Sequence, residues 1–511
     1  MMDQRTPDLG RTNGREANRT PEVANSPPKH GLDRETGIAP EAAGTQTRNL
    51  LNETAARATE FLDGLSERHV AANASAEELR SALTGPLPEG PREPRGVVAE
   101  LVAAVEPGLV ASAGGRYFGF VIGGGLPAAL AADWMASTWD QNAGLYVASP
   151  AASVVEEAVG AWLVGLFGLP KDVSFALITG CQMANFTGLA AARHHVLQKA
   201  GWDVETKGLL GAPRIRVLAG QERHVTIDRA LRFLGLGTDA LGPVPVDGQG
   251  RMRPEALEDA LAATSGPTIV CAQAGNVNTG AIDPLAKICD AAHEAGAWVH
   301  VDGAFGMWAA ASPRSRPLAE GIERADSWAT DAHKWLNVPY DSGLVFCAHP
   351  ADHKAAMTAS AGYLVQGRQR DAIDWNPEAS RRARGFAVYA ALRSLGRRGV
   401  ADLVDRLSAH AKRFADALAK VPGVEVLNDV TLNQVLVRFL DPSGDHDART
   451  RAVVRAVQED GTCWLGGTTW QGKAAMRISV SNWRTTAEDV DRSVAAILAA
   501  ASDPSLPGAS G

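Results

Sequence analysis

Trp298-Val299-His300-Val301-Asp302-Gly303-Ala304 is the stretch that decides the fold. A short, mostly apolar run begins at Ala297 and stops at an aspartate and a glycine. Bounded in this way, it reads as a fully buried strand. Similar runs recur on either side: Phe175-Ala176-Leu177-Ile178, Ile215-Arg216-Val217-Leu218, Thr268-Ile269-Val270-Cys271 and Gly343-Leu344-Val345-Phe346. Helical stretches separate them. Strands alternating with helices predict an α/β fold, a mostly parallel sheet covered on both faces. In such folds ligands bind beyond the carboxyl ends of the strands. Asp302 stands at such an end.

The rest of the chain arranges itself around this region. Residues 1–46 are rich in Pro, Gly, Asn, Thr and charge, and predict a disordered tail. Residues 47–110 carry helical patterns broken by Thr84-Gly85-Pro86-Leu87-Pro88-Glu89-Gly90-Pro91. That segment is too small for a core of its own, which predicts that it lies on another surface, such as a second subunit. Residues 111–395 form the predicted large domain. Ser149-Pro150 opens an early helix there, with proline at a favoured first position. A helix over 384–395 leads to a small α+β domain, 396–502, with strands near 424–426, 434–439 and 476–480 and helices over 447–458 and 487–500. Residues 503–511 predict a flexible tail.

Composition narrows the function classes. Of 511 residues, 45% are hydrophobic and 21% charged, which is ordinary for a globular protein with one large and one smaller domain. The net charge of -8 gives no support to a nucleic-acid partner. No run has the length and uninterrupted apolarity of a membrane helix, and the amino terminus lacks a secretory pattern. Cys181, Cys271, Cys289, Cys347 and Cys463 are scattered and mostly within apolar runs. They predict buried, reduced thiols in a cytoplasmic protein. No Cys/His spacing predicts a zinc site, and no metal is expected.

Chemistry-bearing residues gather at the strand ends. Asp331-Ala332-His333-Lys334-Trp335 sets a lysine among a histidine and a tryptophan, a poor surface design. Burial there lowers an amine's pKa and makes it a usable nucleophile; the bland alternative is a lysine snorkelling to solvent. A buried carboxylate at Asp302 costs several kcal/mol without a partner. The pyridinium N–H of pyridoxal phosphate supplies that partner, and an aldehyde on the same cofactor suits Lys334. Thr179-Gly180-Cys181-Gln182 opens a helix after a strand, where backbone N–H groups face a phosphate. His224 follows a strand and precedes a helix, a place from which an imidazole lies flat on a cofactor ring or simply caps the helix. Each residue alone has an ordinary structural reading; their conjunction in this order points to one cofactor.

These motifs, with Leu87-Pro88, Val105-Glu106-Pro107-Gly108, Arg116-Tyr117-Phe118-Gly119-Phe120 and Ala148-Ser149-Pro150-Ala151, resemble the group II pyridoxal-phosphate-dependent amino-acid decarboxylases over roughly residues 48–500. The resemblance implies PLP-dependent fold type I, like aspartate aminotransferase, with a seven-stranded sheet. It implies a homodimer with the active site at the subunit interface, and a small amino-acid substrate, with no nucleic acid or membrane as partner. By it, Lys334 holds the cofactor covalently, Asp302 binds the ring nitrogen, and His224 stacks on the ring. Cys181 and Gln182 take phosphate-loop positions; Asn276, Ala304 and Asp331 complete the cofactor set. His224 or His333 handles the substrate carboxylate and protons, a choice the sequence leaves open. Tyr363, in Gly362-Tyr363-Leu364, takes the place of a loop tyrosine that protonates the reacting carbon. Phe118, Phe120 and Trp335 are the substrate-facing candidates. An aromatic L-amino acid is favoured over an acidic or small one, with Arg477 open to an acidic group. Aldehyde synthases and carbon–carbon lyases share the fold. The family often has asparagine where this chain has Asp331, a negative charge that needs compensating donors.

Overall fold

The computed structural model describes residues 40–263, 265–358 and 368–503. Two compact units are separated at residue 58. The first is described from Pro40, where the helix Pro40–Asp63 begins. The predicted tail to residue 46 is therefore too long. Proline needs no N–H partner in a first turn and presets the helical φ, and Glu41-Ala42-Ala43 follow as good helix formers.

The second unit holds the predicted sheet: β1 (Ser174–Ile178), β2 (Arg216–Gly220), β3 (Leu241–Val244), β4 (Thr268–Gln273), β5 (Trp298–Asp302), β6 (Ser327–Asp331) and β7 (Gly343–Cys347), in the order β1-β7-β6-β5-β4-β2-β3. β7 runs antiparallel to β1 and β6; the other pairings are parallel. β5 is central and all five of its residues are buried. The carboxyl ends of β1, β2, β5 and β6 thus share one edge. Gly180, His224, Asp302 and Lys334 sit on or just after those ends.

Two strands of this sheet escaped the sequence reading. β3 is Leu-Gly-Pro-Val, and proline is tolerated there because β3 is an edge. β6 is Ser-Trp-Ala-Thr-Asp, fully buried but without an apolar run. The carboxy-terminal part is a four-stranded sheet, β8 (Val424–Val426), β9 (Gln434–Phe439), β10 (Gly466–Trp470) and β11 (Lys473–Ser479), ordered β10-β11-β9-β8. Helices His446–Asp460 and Ala487–Ala501 accompany it. The helix Gly385–Leu418 joins the two regions and breaks at Gly396, whose φ of 63° suits glycine.

The helix Pro150–Phe167 is apolar and long enough by length and composition to cross a membrane, although Glu156 and Glu157 interrupt its apolar run. Half of it is buried within the protein, and it carries a buried ion pair from Glu156 Oε1 to Arg381 Nη1 at 2.6 Å. It is a core helix. All five cysteines are buried and free.

Candidate active site

Asp331 ends β6 and is the hub of the site. Its Oδ1 accepts from the Cys181 backbone N–H at 2.6 Å, and its Oδ2 lies 2.9 Å from Lys334 Nζ. His333 Nε2 lies 3.4 Å from Oδ1. Cys181 is the first residue of the helix Cys181–Lys199, so the carboxylate sits at a helix amino terminus, where the dipole favours an anion. These are the compensating donors that an aspartate at this position needs.

The sequence reading had Lys334 with a lowered pKa. Burial does push it down, but Asp331 and the neighbouring acidic groups outweigh burial and hold it above its ordinary value. The amine is therefore an ammonium paired with Asp331 before any cofactor arrives. Its side chain keeps 21% of its surface accessible, enough to be reached.

Asp302, 5% exposed, is supported by Cys181 and the helix it begins. Oδ1 accepts from Cys181 Sγ at 3.4 Å and from Ala304 N at 3.3 Å; Oδ2 accepts from Asn185 Nδ2 at 3.2 Å. Burial pushes the Cys181 thiol well up, so it remains a donor. A carboxylate offers about four acceptor sites, and three are filled. One is left on Oδ2. Asn185 stands four residues after Cys181, one helical turn, and binds His300 Nε2 through Oδ1 at 2.9 Å. The sequence reading passed over Asn185, although its i+4 spacing from Cys181 placed it on the same helix face.

His224 caps the helix Val225–Phe233, with Nδ1 2.9 Å from Thr226 Oγ1. Burial lowers its pKa, Asp302 pulling the other way, so the ring is neutral near pH 7. Its Nε2 has no protein partner among the described residues. His333 is more fully engaged: Nδ1 accepts from Ser342 N at 3.1 Å, Nε2 faces Asp331, and the ring lies 4.3 Å from the Tyr340 ring at 30°. Of the two histidines, His224 is the one with a nitrogen to spare.

Other candidates are placed differently from expectation. Phe118 is 1% exposed and packs edge-on to Phe414 at 4.9 Å. Trp335 is also 1% exposed, within the main core and near Phe305. Neither faces open space, because aromatic identity does not reveal which way a side chain points. Asn276 is fully buried. Its amide donates to Glu222 O at 3.0 Å and its Oδ1 accepts from Asn278 N and Thr279 N, so it braces its own turn. Phe120 is 60% exposed, with φ 52°, and stacks on Trp464, which stacks on Tyr117. A side chain at Gly119 would collide with the Trp464 ring. Trp464 and Tyr340 were missed: Trp464 lies remote from the motifs and is brought in by the fold, and Tyr340, five residues past Trp335, folds back onto His333. Tyr363 lies outside the described residues.

The residues fit pyridoxal phosphate. Asp302 retains an acceptor for a ring N–H, Lys334 is a reachable amine, and Gln182 Oε1 is buried with no partner. Cys181, Gln182 and the helix terminus would flank the phosphate, with Ala304 and His224 near the ring.

Residues 78–440 match the model of the pyridoxal-dependent decarboxylase conserved domain. The chain is 30% identical over 388 residues to the acidic amino acid decarboxylase GADL1 of Bos taurus, covering 71% of this chain and 73% of that one. It is 26% identical over 461 residues to the aromatic-L-amino-acid decarboxylase of Bacillus atrophaeus, covering 88% and 94%. In fold it is similar to the crystal structure of Oryza sativa TDC with PLP and tryptamine: TM-score 0.84, 23% identity, 90% of this chain and 98% of that one.

Proposed function

Since the chain belongs to the pyridoxal-dependent decarboxylase family, we propose that it removes the α-carboxyl group of an aromatic L-amino acid, with Lys334 as the covalent anchor of the cofactor. It is a pyridoxal-phosphate-dependent amino-acid decarboxylase, a carboxy-lyase. When bound, the cofactor supplies the electron sink for the breaking carbon–carbon bond.

The protein's own residues do the rest. Asp302, with an acceptor position left on Oδ2, would bind the ring N–H and favour its protonated form. Asp331, 2.9 Å from Lys334 Nζ, would hold that amine as an ammonium whenever it is not bonded to the cofactor. His224 would stack on the cofactor ring, and its Nε2, which has no partner among the described residues, would be offered to the substrate carboxylate. Arg477 supports the same role: its guanidinium is largely buried, with Val277 O at 3.3 Å and no carboxylate partner among the described residues. Its charge is felt at His224. Tyr363, from a neighbouring subunit, returns a proton from its hydroxyl to the reacting carbon. This last step rests on the resemblance alone.

The observation that carries the substrate reading is the aromatic wall of Phe120, Trp464 and Tyr117, with the Tyr340 ring on His333 beside Lys334. The acidic alternative is favoured by Arg477, which would hold a side-chain carboxylate. Carbon dioxide release across the twenty L-amino acids, with amines identified by mass, decides between them. Tryptophan, tyrosine or phenylalanine should turn over fastest. Faster turnover of aspartate or glutamate would overturn the aromatic reading.

A dimer is proposed from the segment before residue 110. The helices Ala76–Leu83 and Pro94–Val105 bury no residue of their own, and Leu87 (89%) and Leu101 (53%) stand exposed. Exposed apolar faces of this kind mark an interface. Sedimentation should give a mass of about two chains; a monomer would contradict it.

A further inference from the structure

The edge of the large sheet opposite the cofactor site carries a second cluster of functional groups. β5 and β6 begin there and β7 ends there. His195 lies on the helix Cys181–Lys199, about 21 Å along it from Cys181 at 1.5 Å per residue. His349 follows β7, and Asp352 lies on the next helix, Pro350–Met357. One nitrogen of each histidine and one oxygen of Asp352 all lie within 4.8 Å of one another. His195 Nδ1 and Asp352 Oδ2 are 2.7 Å apart. Both imidazoles lean on the indole of Trp298, with centroids at 5.0 and 4.8 Å, which limits their motion.

A second layer stands behind these three groups. Asp326 Oδ1 lies 2.8 Å from His349 Nε2, which leaves Nδ1 of that ring as its available donor. Asp326 is itself held by Val299 N at 2.7 Å and His293 Nε2 at 3.0 Å. A carboxylate behind a ligating imidazole fixes its tautomer and orientation, the usual outer layer of a metal site. His194 Nε2 lies 3.9 Å from the other oxygen of Asp352. The side chains of His195, Asp352 and His349 are 24%, 20% and 37% exposed. The cluster is therefore held by protein and still open to solvent.

We propose that His195, His349 and Asp352 form a binding site for a first-row divalent transition metal of the zinc class, separate from the cofactor site. Two imidazoles and one carboxylate are a borderline donor set that suits zinc, nickel or cobalt and disfavours magnesium and calcium, which take oxygen ligands. Zinc bonds of about 2.0–2.2 Å place ligand atoms within about 4 Å of one another, so side-chain shifts of the order of 1 Å close the site. Water fills the remaining positions. The bound ion would clamp the end of the helix Cys181–Lys199 to the β7–helix junction. His349 and Asp352 are near neighbours in the chain, but His195 lies 157 residues before Asp352, so no local spacing in the sequence announced the set.

The test is calorimetric titration of the tag-free, cofactor-loaded protein, stripped of metal by chelation, with zinc, nickel and magnesium chlorides. One equivalent of zinc or nickel per chain should bind, and magnesium should not. His349→Gln, at the most exposed ligand, and Asp352→Asn should each weaken zinc at least tenfold. Visible absorbance of the bound cofactor should be unchanged in both variants, which separates this site from the catalytic one. No saturable zinc or nickel binding, or binding equally tight in both variants, would overturn the proposal.

Discussion

Asp331 shows what a single residue does to this site. Its carboxylate accepts from the first N–H of the helix Cys181–Lys199, and it pairs with Lys334, the proposed cofactor anchor. The pairing keeps Lys334 an ammonium, so capture of the cofactor requires loss of a proton that Asp331 holds in place. Asp331→Asn removes that hold. Stopped-flow absorbance should then show faster cofactor uptake at pH 7, with the pH profile of uptake moved to lower pH. An unchanged profile would mean that Asp331 does not govern the amine. At this scale the sequence singled out Lys334, Asp302 and His224 by their conjunction at strand ends, although His224 alone serves as a helix cap. It did not announce Asn185, whose partners Asp302 and His300 come from a distant segment, or Tyr340, whose ring turns back onto His333. It misplaced Phe118 and Trp335, because a large apolar ring fits a core as readily as a pocket.

At the level of elements, the antiparallel strand β7 brings its first residue to the cofactor edge. A side chain on Gly343 would collide with the backbone of Gly180, so β7 packs directly beneath the turn that would face the phosphate. Gly343→Ala should leave a folded protein whose cofactor affinity, measured by absorbance titration, falls at least tenfold, about 1.4 kcal/mol. Full retention of affinity would show that the turn tolerates displacement. Parallel strands with strong apolar runs were legible because burial on both faces demands such runs. β3 and β10 were not, since both lie at sheet edges where proline, glycine and threonine suffice. β6 was not, since its burial rests on Trp328 and Ala329 within a polar frame.

Across the whole molecule, two buried histidines set an acid limit. Burial pushes His300 and His353 down to about 4 from an ordinary 6.5. Their folded-state pKa values lie below the unfolded ones, so the unfolded chain binds more protons between these limits. Through these two groups stability is lost as pH drops from 6.5 toward 4, by about 2–3 kcal/mol for each histidine; the Asp283 carboxyl, which burial pushes up to about 7, acts with the opposite sign over this range. Denaturant midpoints at pH 7.5 and 4.5 should differ accordingly, and His353→Asn should reduce the difference. A flat profile would show that the folded protein accommodates both charges. Arg381 and Glu156 were unreadable beforehand for the same reason that makes them matter: an ion pair is buried only if the fold brings its halves together.

The central claim is that Lys334 anchors the cofactor. Borohydride reduction of the cofactor-loaded protein, followed by peptide mass spectrometry, tests it most directly. A phosphopyridoxyl increment is expected on the peptide containing Lys334 and on no other. The same increment on a different lysine, or none on the Lys334 peptide in protein that binds the cofactor, would contradict it.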